Sequence, residues 1–139
     1  MESLKENKPL NESNIVQAEK IVETKAIVQE KKLLSFDEWK NIDIRVGLIE
    51  SVDDIVGKDK LYKMSVDFAT EKRTVVAGLK LYFAKEELQG KKAAFVFNLA
   101  PAKLAGIESQ AMILAARTTE GKYKVFFSDD AVAQGTRLE

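Results

Sequence analysis

The sequence contains no cysteine and no histidine. Without cysteine there is no disulfide framework and no thiol nucleophile. Without either residue, most zinc sites and all imidazole acid–base catalysis are excluded. No run approaches the roughly 18 continuous apolar residues of a membrane span. The N-terminus carries no apolar stretch of the export-signal kind, so a cytoplasmic chain is expected. The phosphate-cradling patterns G-x-x-x-x-G-K and G-x-G-x-x-G are also missing. Carboxylates, lysines and hydroxyls remain. The pairs Asp53–Asp54, Glu86–Glu87 and Asp129–Asp130 read as turn or helix-surface residues, whereas carboxylate catalysis needs a buried member with a raised pKa. No enzyme, metal site or cofactor is therefore expected.

What is present fits one ordinary globular domain: 139 residues, 45% hydrophobic and 32% charged. The 22 basic and 22 acidic residues cancel, which argues against a strong general nucleic-acid binder. Residues 1–33 carry six charges of each sign. Residues 34–90 carry nine basic and eleven acidic, and residues 91–139 carry seven basic and five acidic. A phosphate-binding surface must then be a local patch, with modest, salt-sensitive affinity.

Residues 1–33 hold no aromatic and no glycine, and read as a partly helical tail or linker. Ile15, Ala18, Val22 and Ala26 recur at helical spacing, with Asn11 or Ser13 as candidate caps. A domain over 34–139 follows. Phe36 and Trp39 fall in one helical turn and are expected as an aromatic plug in the core. Strand alternation begins at Ile42, Ile44, Val46 and Leu48. It continues in Tyr62, Met64, Val66 and Phe68, with the polar stretch 52–60 as a loop between. Residues 71–72 read as a turn, 73–77 as a third strand, 79–90 as a short helix and 92–99 as a fourth strand. Residues 100–110 are irregular, 112–116 form a fifth strand, and Tyr123, Val125 and Phe127 mark a further one. The tail from Ala131 reads as extended.

Five strands with a helix between the third and fourth is the order of an all-β OB-fold barrel, here with extra C-terminal strands. The expected interior is Ile42, Ile44, Val46, Met64, Val66, Val75, Phe95, Phe97 and Ile113. OB barrels bind ligands across strands two and three, between the first–second and fourth–fifth loops. Those loops supply Lys58, Lys60, Asn98, Lys103, Ser109 and Gln110, and the strands add Arg45. Lys63, Lys72 and Arg73 read as solvated.

Several stretches resemble one family: I-D-I-R-V-G at 42–47, D-K-L-Y at 59–62, R-T-V-V-A-G-L at 73–79 and N-L-A-P-A-K-L-A-G-I-E-S-Q-A-M at 98–112. The resemblance is to the tRNA-binding domain of the methionyl-tRNA synthetase C-terminal type, from about Phe36 to Arg137. It implies an OB barrel that binds tRNA by shape without catalysis, in support of a synthetase, and that is often a homodimer. Its RNA-contacting positions fall on Asn98, Lys103, Ser109 and Met112, with Arg45 and Lys60 in the pattern. Ala100 and Ala105 stand where the family often carries a basic residue, which lowers the expected phosphate contact. A chaperone-like or protein-interaction dimer of the same fold is the alternative.

Overall fold

The computed structural model describes residues 32–139. The helix expected from about Asn11 lies outside them. Phe36–Glu139 forms one unit, and it opens with a single helical turn, α1 (Phe36–Trp39). The expected aromatic plug is not formed. No residue of α1 is buried, and Phe36 is exposed beneath the ammonium of Lys40. One turn is too short to build the apolar stripe that would bind it to a core.

The main sheet contains β1 (Ile44–Ile55), β2 (Lys58–Asp67), β3 (Lys72–Ala77) and β4 (Lys92–Val96). Residues 52–60 are not a loop. They are the paired ends of β1 and β2, which leave only Val56 and Gly57 as the turn. The turn before β3 also lies earlier than expected, at Ala69–Thr70, where the Asp67 carboxylate accepts from the Ala69 amide. Between β3 and β4 lies α2 (Lys85–Leu88), whose Leu88 is fully buried.

After β4 the chain forms a small hairpin, β5 (Ala102–Leu104) and β6 (Ile107–Ser109). Its turn residues Ala105 and Gly106 have φ of 54° and 77°. That pair of left-handed residues makes the twist-matched two-residue turn of a tight hairpin. Then β7 (Met112–Ile113) pairs with β4. The strand order is β3-β2-β1-β4-β7. Polar side chains bring β6 to the outer edge of β3: Val76 N–H donates to Ser109 Oγ (3.0 Å) and Thr74 N–H to Gln110 Oε1 (2.9 Å). The Gln110 backbone N–H returns a bond to Thr74 O (2.8 Å). β6 and β7 together thus serve as the fifth strand, and the all-β OB barrel expected from the sequence closes, with α2 between strands three and four.

Beyond it, β8 (Ala115–Arg117) pairs with β9 (Tyr123–Val125). The C-terminal segment then returns to β1. Gly135 N–H donates to Val46 O, Val46 N–H to Thr136 O and Leu138 N–H to Ile44 O, at 2.7–2.9 Å. Lys92 Nζ secures the same segment through the Asp130 and Val132 carbonyls.

Met64, Val66, Val75, Phe95, Phe97 and Ile113 lie in the core, as expected. The phase of β1 is the reverse of the expectation. A Cβ on Gly47 would point at Val66, Phe68 and Phe95, so the inward residues are Gly47 and Ile49. Ile42 and Ile44 are only partly buried. Val46 is buried, but outside the core cluster, as is its cross-strand partner Ala94. Period-two alternation tells which residues share a face, not which face is inside. Here glycine occupies the inner row because Phe68, Phe95 and Val66 fill the space.

Candidate nucleic-acid interface

A groove of about 480 Å³ opens where β3 begins and β4 ends. Glu71, Arg73, Phe97, Asn98, Pro101 and Gln110 line it, with Leu99 and Ala100. Its floor is an aromatic ring between two guanidinium groups. The Arg73 Cζ lies 3.6 Å and the Arg45 Cζ 4.0 Å from the Phe97 centroid. At those distances both must lie over a face of the ring, and two planar groups cannot share one face so near its centre. They therefore occupy opposite faces, and Arg73 is the one on the groove side.

Each guanidinium is held rigidly. Asp43 takes the Arg45 Nε and Nη2 hydrogens in a bidentate pair at 3.0 and 2.9 Å. That contact raises the Arg45 pKa further above its ordinary value. Arg73 Nε donates to Glu71 (2.7 Å), while its Nη1 donates to the carbonyls of Phe97 and Gln110. Arg73 thereby joins β3, the end of β4 and the base of the hairpin.

The expected contact residues have separate positions. Asn98 lines the groove, but its amide is engaged: Oδ1 accepts from Asp43 N–H (2.9 Å) and Nδ2 donates to Asn41 O. Lys103 is exposed on β5, two residues beyond the groove-lining Pro101. Two residues of chain span at most about 7 Å. Arg45 lies behind the Phe97 ring. Ser109 is buried, with its hydroxyl accepting from Val76 and donating to Ala111 O (3.2 Å). Its position is that of a clamp for the hairpin. Met112 is half exposed in a separate apolar depression with Val76, Leu79 and Tyr123.

Lys60 is outside the groove. It precedes Val66, the partner of Arg73, by six residues, or roughly 20 Å of strand. On that far side Asp54 holds Lys80 and Lys85 at 3.0 and 3.1 Å. These ammonium groups, Lys80 first, lower the Asp54 pKa.

Gln110 is in the groove, as expected of its loop, whereas Arg73 and Phe97 are groove residues that sequence reasoning placed elsewhere. A charged residue at a strand start reads as solvated, and a phenylalanine at a strand end reads as core. The signal that was available is R-T-V-V-A-G-L beginning at Arg73.

Comparison with known proteins agrees with this architecture. The family model described as "Putative tRNA binding domain" matches residues 44–137. A methionine–tRNA ligase of Methanococcus maripaludis is 44% identical over 111 residues, covering 74% of this chain and 17% of the ligase. The chain thus spans under a fifth of the length of that relative. The crystal structure of a MetRS related protein from Pyrococcus horikoshii superimposes with a TM-score of 0.74 at 38% identity, over 78% of this chain and 100% of that one. The CsaA chaperone protein from Picrophilus torridus gives 0.69 at 28% identity, over 77% and 100%. With the family model matched from β1 to the returning C-terminal segment, this chain belongs to the tRNA-binding domain family.

Proposed function

We propose that this chain is a non-catalytic, shape-specific tRNA-binding module that supports an aminoacyl-tRNA synthetase, methionyl-tRNA synthetase above all, in the cytoplasm. The observation that carries the reading is the groove of Arg73, Phe97 and Gln110 beside the exposed Lys103 hairpin. It joins a stacking surface to a phosphate-binding cation, the two elements of sequence-tolerant RNA binding. Tethered to a catalytic subunit, a weak site of this kind raises the local tRNA concentration without new specificity.

Titration of tRNA at increasing salt tests it. Lys103→Ala removes one phosphate partner, so the log–log salt slope falls by a little under one unit. Affinity falls alike for every tRNA, because phosphate contacts carry no sequence information. Glu86→Ala, in α2, leaves both unchanged. An unaltered slope in the folded Lys103→Ala protein refutes the assignment.

A homodimer is part of the proposal. The C-terminal segment covers β1, yet Phe126 and Phe127 stay exposed, as do Leu81 and Tyr82. A second copy would cover such residues. Sedimentation at tens of micromolar is expected to give twice the monomer mass, and a clean monomer rejects this part. The same exposed residues, with the 28% identical chaperone relative, favour a chaperone-like dimer as the second reading. In that case an unfolded protein client, and not tRNA, saturates the protein.

A further inference from the structure

We propose that the Arg73 groove takes one unstacked nucleobase of single-stranded or looped RNA, laid face-on against the Arg73–Phe97 stack, with the adjoining phosphate on Lys103. The inference rests on the RNA-binding reading and specifies what this site holds.

A phosphate is a poor occupant. Arg73 is the one cation among the lining residues, and the Glu71 carboxylate lies 2.7 Å from its Nε. Its Nη1 donates inward to two carbonyls. The groove is therefore close to neutral, and much of Arg73's donor capacity already has partners. What Arg73 still offers is its Nη2 hydrogens, which have no hydrogen bond among the described residues, and the guanidinium face turned away from Phe97. Its side chain keeps 19% of its surface accessible.

A planar, delocalised cation fixed on an aromatic ring is a stacking platform, and unstacked RNA bases use arginine planes as well as aromatic rings in this way. The rim can read a base edge. The Gln110 side-chain carbonyl is occupied by Thr74 N–H, but its Nε2 has no hydrogen bond among the described residues and remains a donor. Glu71 is half exposed and remains an acceptor. A volume of about 480 Å³ falls in the range of roughly 300–1,000 Å³ usual for small-ligand sites. Lys103, at most about 7 Å of chain from Pro101, is within reach of the phosphate flanking a base seated there. Paired bases in a helix cannot enter, so the site selects loops and single strands.

The test uses the full chain and a single-stranded oligoribonucleotide of about seven mixed bases, within the usual span of such sites. The same ribose-phosphate strand lacking its bases is the comparison. The intact strand is expected to bind about tenfold or more tightly than the abasic one, with the same salt slope. Arg73→Lys keeps the charge and loses the plane, and is expected to bring the two strands to near-equal affinity. Should that variant unfold, Ala100→Phe fills the groove from an exposed position and is expected to act likewise. Equal binding of the two strands by the unaltered protein, or a ratio that survives in both folded variants, overturns the proposal. If tRNA still binds with a Lys103-dependent slope, the functional reading then stands without it. If neither tRNA nor oligonucleotide binds, both fall.

Discussion

Gly47→Val is expected to lower the melting temperature by about 10 °C. A Cβ at this position would lie 2.5 Å from Val66 Cγ1, 2.8 Å from Phe68 Cε1 and 3.0 Å from Phe95 Cδ1. All three neighbours are fully buried, so none can swing aside into solvent. Overpacking of this kind costs roughly 1–3 kcal/mol, occasionally more. Two effects work in the opposite direction. Valine suits a strand, and glycine loses about 0.5–1 kcal/mol in one through chain entropy. The clash outweighs them, leaving a net loss of about 2 kcal/mol. At roughly 4–8 °C per kcal/mol for a domain near 100 residues, this gives the stated shift in a thermal melt followed by circular dichroism. A melt unchanged by the substitution would return Ile42 and Ile44 to the barrel interior and refute the inward placement of Gly47.

The second large effect concerns Ser109. If its hydroxyl only touched RNA, Ser109→Ala would weaken tRNA binding by roughly 1 kcal/mol and leave the melt alone. Here the hydroxyl is buried, accepting from the buried Val76 amide. Removing it strands that N–H without a partner, at about 1–3 kcal/mol. Ser109→Ala is therefore expected to melt several degrees lower with no RNA present. It should also bind tRNA less well, because the hairpin carrying Lys103 loses one of its few attachments to β3. A wild-type melt combined with weakened tRNA binding would restore the contact role.

These two residues mark where sequence reading stopped. β2 was legible because its apolar residues alternate against a solvated face, and β3 because Thr74, Val75 and Val76 form a short β-branched run; Met64, Val66 and Val75 lie in the core as expected. β1 was misphased because Ile42, Ile44 and Val46 form a real apolar row, but one on the face opposite Gly47. A glycine carries no hydrophobic signal, though here it marks the interior. The hairpin at 102–109 escaped notice because its turn is Ala-Gly, without the Asn or Asp that usually announces two left-handed residues. The Arg73 platform required knowing that a strand start and a strand end meet. Nothing local in R-T-V-V records that Phe97 lies beneath the guanidinium.

The return of the C-terminal segment to β1 has a consequence for self-association. The first half of β1 bonds to β4 along one side, while β2 joins only from Leu48 onward. Gly135–Leu138 takes up the groups left open between Ile44 and Val46. An uncovered row of strand amides and carbonyls is a template for another chain, and proteins cap such edges to stay out of aggregates. The last residues of this domain are therefore also its guard against runaway sheet extension, a role independent of any RNA.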